Sequence, residues 1–133
     1  MVLNHKPDGG LGPGVYQDRH LSIQFRRQRV ELDGALVPLT RKEYELLAML
    51  AQNAGEIVRR EVLLRQVWGY GEGVRTRTLD VHVRRVRKKL DPLADYIETI
   101  FGVGYRFQPY RERPAEYDLR VAPWPAAARP AIA

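Results

Sequence analysis

The sequence contains no cysteine among its 133 residues, which excludes disulfides, cysteine-bearing zinc fingers and thiol nucleophiles. Chains without disulfides are typical of reducing compartments, so we expect a cytoplasmic protein. Long apolar runs are missing too, because no stretch approaches the roughly 18 consecutive apolar residues of a membrane-spanning helix. The N-terminal segment also lacks the apolar core of a signal peptide, and we expect no membrane partner.

Catalytic and metal-binding patterns are missing as well. Ser22 is the only serine, and nothing in the sequence pairs it with a histidine as nucleophilic catalysis requires. The three histidines, His5, His20 and His82, form no cluster with metal-ligand spacing. We therefore expect a protein that is not an enzyme and that has no metal and no cofactor.

Basic residues are abundant, and they are concentrated in one segment. The chain has 22 lysines and arginines against 16 acidic residues, a net charge of +6. Residues 75–90 hold seven cations and one acid, Asp80, so this segment alone accounts for +6. Such a balance favours a polyanionic partner, and its confinement to one segment indicates a specific binding element.

Composition divides the chain into three parts. Residues 1–14 contain four glycines and two prolines, which predicts a flexible leader. Residues 109–133 are rich in proline and alanine and have few large apolar groups, which predicts a disordered tail. Residues 15–108 would form one folded domain.

The first half of that domain carries strand, turn and helix-start patterns. Apolar residues alternate with polar ones over 21–25, as in a half-buried strand, and Asp33-Gly34 suits a tight hairpin turn. Four short strands should form a small antiparallel sheet. Thr40 and Glu43 have the spacing of a capping box, so a helix should begin at Thr40.

The second half continues with two helices and a hairpin. After a stop at Gly55, the patterns predict a helix over 60–68 ended by Gly69, and a third helix over about 76–90 with Thr76 as its N-cap. Residues 97–107 read as a terminal β-hairpin. The order predicts an α+β winged helix-turn-helix with an N-terminal antiparallel sheet, three helices and a C-terminal hairpin, the wing.

The third helix should present two different faces. At helical spacing its apolar residues form one stripe toward the core, consisting of Leu79, Val83, Val86 and Leu90. The opposite face carries a cationic ridge with one apolar member, consisting of Arg77, Val81, Arg84 and Lys88. We expect Asp80 to orient Arg84 through an i,i+4 pair. Such a ridge suits the DNA major groove, which admits an α-helix.

Simpler interpretations accompany these assignments. The ridge could be a solvated charged face, although seven cations beside one acid would repel one another without a polyanion nearby. Any single arginine could contact phosphate alone. Trp68 is either a packing aromatic or a phosphate contact through its indole N–H, and His82 either packs or contacts phosphate.

Four ordered motifs resemble those of a known family. They are LTRKEYELL at 39–47, VWG at 67–69, TRTLDVHVRRVRKKL at 76–90 and GVGYRF at 102–107. Over about residues 15–108 the chain resembles the OmpR/PhoB-type effector domains of bacterial two-component response regulators, which act in phosphorelay signal transduction. The family's receiver domain has no counterpart in residues 1–14; a fragment and a stand-alone regulator both remain possible.

The resemblance implies DNA-binding roles for particular residues. Base contacts would come from Thr78, Asp80, Val81 and Arg85. Phosphate contacts would come from Arg77, His82, Arg84 and Arg87, with Lys88 completing the ridge. Backbone contacts around the groove would come from Arg60, Trp68, Thr99 and Tyr105.

The resemblance also implies partners and exposes two departures. Double-stranded DNA would be bound as direct repeats by a head-to-tail dimer, and residues 69–75 would contact RNA polymerase. Phe101 stands where the family's wing often has an arginine, so the wing should contribute less minor-groove readout. Arg59 replaces a capping serine. Gly102 and Gly104 are interpreted as turn glycines at the wing tip.

Three classes of function follow. The favoured one is a sequence-specific transcriptional regulator. A non-specific architectural nucleic-acid-binding protein would use the ridge alone, and a winged-helix protein-interaction module would not bind DNA. Comparison of binding to specific and random duplexes separates the three.

Overall fold

A computed structural model describes residues 10–71, 76–90 and 95–110. Its N-terminal part is an antiparallel sheet in which each strand pairs with the next along the chain. The five strands are β1 (Gly10–Gly12), β2 (Val15–Gln17), β3 (Leu21–Gln24), β4 (Arg29–Leu32) and β5 (Ala35–Leu36).

The predicted sheet is confirmed, but it begins earlier than expected. The turn between β4 and β5 holds Asp33 at φ 52° and Gly34 at φ 83°, as a primed two-residue hairpin turn requires. Residues 10–14 were assigned to the flexible leader, and that assignment is wrong. Strand β1 and its turn lie there, because Gly10–Gly12 pairs with β2 through backbone groups that need no large side chains. Residues 1–9 lie outside the described part.

Helix α1 (Arg41–Gln52) begins at the predicted capping box. Thr40 Oγ1 accepts a hydrogen bond from the Glu43 N–H at 3.2 Å, and Glu43 Oε1 accepts one from the Thr40 N–H at 3.0 Å. The helix ends at Asn53 rather than at Gly55. Gly55 instead donates its N–H to the Phe107 carbonyl at 2.9 Å, which ties the end of α1 to the C-terminal strand.

Helix α2 (Arg60–Leu63) changes geometry in its second half. It continues as a π-helical turn over Leu64–Trp68, which the sequence did not predict, and ends at Gly69 with φ 74°. At the start of α2, the Arg59 side chain makes no capping hydrogen bond. This agrees with the expectation that an arginine in place of the family's serine caps the helix less well.

Helix α3 (Thr78–Leu90) starts slightly later than expected, while Thr76 still serves its first turn by accepting a hydrogen bond from the Thr78 N–H at 3.0 Å. The predicted apolar stripe is confirmed, since its four residues are at most 1% exposed: Leu79, Val83, Val86 and Leu90. They pack in a core between α1, α3 and the inner faces of the sheets.

The C-terminal hairpin is confirmed and gains a third strand. Strands β7 (Ile97–Ile100) and β8 (Gly104–Phe107) pair, and β8 also pairs with β6 (Ile57–Arg59), a strand that no sequence pattern predicted. Gly102 lies in the turn at φ 78°, as expected. Gly104 is not a turn glycine: a Cβ there would lie 2.1 Å from the Val58 carbonyl oxygen, so β8 passes too close to β6 for any side chain.

The two sheets meet at a buried aspartate. Asp18 is 7% exposed and accepts five hydrogen bonds, so its carboxylate is satisfied by neutral donors. The donors are the hydroxyls of Tyr16 and Tyr96 and the backbone N–H groups of His20, Leu21 and Tyr110. Burial, followed by the adjacent Asp18 carboxylate, raises the pKa of both hydroxyls.

The segment after β8 is packed where a disordered tail was expected to begin. The Tyr110 ring lies edge-on to the His20 ring, with centroids 4.6 Å apart. The tail boundary at residue 109 is therefore wrong for its first two residues, because aromatic packing orders them. Residues 111–133, the rest of the expected tail, lie outside the described residues. Within the described ranges, no helix is long and apolar enough to cross a membrane.

Candidate DNA interface

The outward face of α3 carries exposed cations. Arg77, Arg84, Arg85 and Lys88 are exposed, and none of them forms an ion pair with a described carboxylate. Val81 is half-buried among them. We call these four cations the α3 ridge; they are the three cations of the predicted ridge together with Arg85, and Arg77 immediately precedes the helix.

Asp80 has different partners from those expected. The Arg60 guanidinium lies 2.6 Å from Asp80 Oδ1, and the Tyr105 hydroxyl donates to the same oxygen at 2.5 Å. The expected Asp80–Arg84 pair is wrong, because the carboxylate turns toward α2 and β8 rather than along its own helix. The Arg60 hydrogen bond holds the pKa of Asp80 below its usual range, against the effect of burial and with a contribution from Tyr105. Burial, then Asp80, raises the pKa of Tyr105 to about 12.

Arg87 is held by the wing. Its guanidinium donates to the Ile97 carbonyl at 3.0 and 2.8 Å and to Thr99 Oγ1 at 2.6 Å. It also lies 5.9 Å from the centre of the Tyr105 ring, within reach of a cation–π contact. Arg87 and Thr99, both expected at DNA phosphates, thus fasten α3 to β7 in the protein alone.

Lys89 is the second cation of the basic segment that serves the fold. Its Nζ lies 2.6 Å from Glu43 Oε1, and the Glu43 side chain is 3% exposed. Burial works to raise the pKa of Glu43, but the hydrogen bonds from Lys89 and the Thr40 N–H outweigh it and hold that pKa below its ordinary value. Two of the seven cations in residues 75–90, Arg87 and Lys89, therefore bind groups within the protein. A third, Arg75, lies outside the described residues.

Trp68 and His82 pack together at the edge of the ridge. Their ring centroids are 4.9 Å apart at an interplanar angle of 74°, an edge-to-face contact. His82 Nδ1 lies 2.9 Å from the Thr78 carbonyl oxygen, so this nitrogen carries the proton in that contact. The packing role of both rings is present, and their phosphate contacts remain a prediction.

The structure thus brings the sequence-predicted residues together on and around α3, in two groups. The first group is outward-facing: Arg77, Thr78, Val81, Arg84, Arg85 and Lys88, with Trp68 and His82 at the edge. The second group is held by internal hydrogen bonds: Arg60, Asp80, Arg87, Thr99 and Tyr105. Within the described ranges no group of three or more His, Cys, Asp and Glu could hold a metal ion.

Sequence reasoning missed the internal partners of the second group. Arg60 and Asp80 are 20 residues apart, and Asp80 and Tyr105 are 25 apart. No local pattern marks such pairs. It also missed the hydroxyl of Thr76, which donates to Thr78 Oγ1 at 2.8 Å and so orients a side chain expected at the bases.

Comparison with known proteins places these features in a family. Residues 34–107 match the family model described as "Transcriptional regulatory protein, C terminal". The chain is 46% identical over 93 residues to transcriptional regulatory protein ResD of Bacillus subtilis (strain 168), covering 67% of this chain and 39% of ResD. It is 43% identical over 98 residues to transcriptional regulatory protein SrrA of Staphylococcus aureus (strain NCTC 8325 / PS 47), covering 71% and 41%. The chain thus spans about two fifths of the length of these relatives.

Solved structures agree. The Klebsiella pneumoniae RstA DNA-binding domain, in complex with the RstA box, superposes with a TM-score of 0.66 at 32% identity, covering 74% of this chain and all of that one. The response regulator DrrB of Thermotoga maritima, an OmpR/PhoB homolog, superposes with a TM-score of 0.63 at 38% identity, covering 71% of this chain and 44% of that one. The predicted winged helix-turn-helix is confirmed.

Proposed function

The chain belongs to the family of transcriptional regulatory proteins whose C-terminal domain it matches, and we propose that it is a sequence-specific DNA-binding regulator that reads the major groove with α3. The observation that carries this proposal is the α3 ridge, four exposed cations none of which forms an ion pair with a described carboxylate. The phosphate groups of DNA would supply the counter-charge for these cations. The DNA major groove is wide enough to admit an α-helix.

The exposure of residues along α3 supports separate roles in base contacts and in phosphate contacts. Arg85 is an exposed arginine suited to guanine O6 and N7, while Val81 offers an apolar contact to a thymine methyl group. Thr78 and Asp80 complete the proposed base-facing set. Arg77, Arg84 and Lys88 would contact phosphates, with His82 and Trp68 at the groove edge.

The second group of residues would position the backbone contacts. Arg60 and Tyr105 hold Asp80, and Arg87 holds Thr99, so each proposed contact from α2 or the wing reaches DNA from a fixed place. Prearranged side chains lose less conformational entropy on binding than free ones.

Selection of bound sequences from a random DNA pool tests the proposal. We expect a motif that repeats at about one helical turn, which would also support the proposed head-to-tail dimer on direct repeats. Equal affinity for selected and random duplexes at physiological salt would favour the non-specific architectural protein. Absence of binding to both would favour a protein-interaction module.

Two arginines of the ridge separate base from phosphate contacts. Arg85→Ala should cost roughly 1–3 kcal/mol on the selected site and relax base preference at one position. Arg84→Ala should weaken all duplexes about equally and lower the salt slope by about one. Arg41→Ala is the matched control, because Arg41 is an exposed arginine on α1 that pairs with Glu45. Loss of base preference in Arg84→Ala, with none in Arg85→Ala, would reverse the assignment.

A contact between residues 69–75 and RNA polymerase is also proposed, on family membership alone; residues 72–75 lie outside the described part. Transcription from a selected promoter should fall when Tyr70→Ala is introduced, while DNA affinity stays constant. A parallel loss of DNA affinity would instead place Tyr70 in the DNA interface or in the fold.

A further inference from the structure

The tip of the wing carries two apolar side chains that the fold leaves uncovered. Phe101 is 90% exposed and Val103 is 40% exposed, and they flank Gly102 in the turn between β7 and β8. Phe101 is the most exposed large apolar residue of the described chain. Phe101 adds nothing to the core and, with Val103, forms a small apolar surface at the tip that is open to a contact with a partner.

Three contacts fix the tip beside the start of α3. The Val103 carbonyl accepts a hydrogen bond from the Arg60 N–H at 3.0 Å, and the Arg60 guanidinium pairs with Asp80 on α3. Lower in the hairpin, Tyr105 bonds to the same Asp80. The wing therefore projects in a direction set by α3 rather than swinging freely.

A cleft of about 490 Å³ separates the tip from α3. Its lining includes Thr76 and Arg77 just before α3, Gly102 and Val103 from the tip, and Arg60 and Glu61 from α2. With α3 in the major groove, one phosphate backbone would lie in this cleft, with Arg77 as its counter-charge, while the Glu61 carboxylate lies 3.9 Å from the Arg59 guanidinium. The tip would then lie on the far side of that backbone, over the adjacent minor groove.

We propose that Phe101, with Val103 beside it, enters this minor groove as an apolar wedge; the proposal rests on the proposed DNA-binding function. Apolar side chains of minor-groove proteins separate base steps and bend the duplex, and they do so without hydrogen bonds. The wedge releases no counterion, because it carries no charge. It therefore adds affinity without adding to the salt dependence, and its preferred sites are easily deformed steps.

The test uses the full chain and a duplex from the selection experiment. Phe101→Ala should weaken binding to the selected duplex about tenfold, in the range found for aromatic contacts with bases, with an unchanged salt slope. Phe101→Arg should steepen the salt slope by about one. A 2-aminopurine scanned through the flanking minor groove should brighten at one step with the natural chain and stay quenched with Phe101→Ala.

Leu36→Ala is the matched control, because Leu36 is a 56% exposed apolar residue on β5 of the N-terminal sheet. It should leave affinity and fluorescence unchanged. Thermal unfolding of Phe101→Ala should match the natural chain, since the side chain is exposed; a lowered midpoint would show that Phe101 packs in the fold and would overturn the proposal.

The outcomes separate the two proposals. If the natural chain binds selected and random duplexes equally, the DNA-reading function fails first. If it is selective and Phe101→Ala binds with equal strength, the wedge alone is overturned. If Phe101→Ala changes only the cooperativity between adjacent sites, or self-association in sedimentation, the tip contacts a second copy of the chain, and the wedge is likewise overturned.

Discussion

Asp18 and Asp80 each accept a hydrogen bond from a tyrosine hydroxyl, yet they lie in different regions and in different surroundings. Asp18 is buried, and the tyrosine hydroxyls and backbone N–H groups described above as its donors are neutral. The Asp80 side chain is 43% exposed beside the α3 ridge and pairs with the Arg60 guanidinium. Water can reach the second carboxylate and is nearly excluded from the first.

The difference shows what each aspartate contributes. Asp18 joins the N-terminal sheet to Tyr96 and Tyr110. Buried donors that lose their acceptor lower the free energy of unfolding far more than exposed ones do, so these hydrogen bonds matter strongly for stability. An exposed ion pair adds little to stability. Asp80 instead links α2 and the wing to α3 through Arg60 and Tyr105, so we expect it to fix the position of the wing rather than to add stability.

Removal of the buried acceptor should have the largest effect. Asp18→Ala should lower the free energy of unfolding by about 3 kcal/mol or more, because two tyrosine hydroxyls and several N–H groups lose their acceptor together. Denaturant unfolding measures it. Tyr96→Phe, which removes one donor, should cost only about 1 kcal/mol. Equal losses in the two variants would contradict a shared buried acceptor.

Substitution of Glu43 should have an effect on stability between those of Asp18 and Asp80, because its buried carboxylate pairs with the partly exposed Lys89. Glu43→Gln keeps an acceptor for the Thr40 N–H but loses the charge opposite Lys89, so we expect a loss of about 1–2 kcal/mol at pH 7. The pKa of Glu43 is lowered in the folded state from 4.5. The stabilisation is therefore complete above pH 4.5 and disappears as the pH falls below it.

Unfolding of the natural chain and of Glu43→Gln across the acid range checks this sign. The two curves should converge below pH 4.5. A constant difference down to the acid transition would show that the charge of Glu43 does not contribute.

Removal of the exposed charge should have the smallest effect on stability. Asp80→Asn should cost under about 1 kcal/mol, because both partners are partly solvated. The effect of Asp80→Asn on DNA affinity should be larger than its effect on stability. Random duplexes should bind more tightly, because a negative charge leaves this face. The ratio of selected to random affinity should fall, because Arg60 and the wing lose their fixed position. Parallel titrations of the two duplexes measure both changes. An unchanged ratio would show that the Asp80 network does not position the interface.

Local patterns predicted much of the fold because the interactions behind them span few residues. The capping box joins Thr40 to Glu43, the hairpin turn needs two residues with positive φ, and the α3 stripe follows from helical spacing. Strand β6 was missed since three residues carry too little pattern, and its role depends on β8, more than forty residues later.

The sequence by itself determined that α3 has an apolar face and a strongly basic one, because periodicity and charge are properties of neighbouring residues. Only the tertiary structure decided which cations are available. Lys89 pairs with Glu43 of α1, and Arg87 donates hydrogen bonds to the wing. Arg60 of α2 pairs with Asp80 of α3. These pairs form between segments that packing brings together, so their partners are set by the arrangement of helices and strands and not by spacing along the chain.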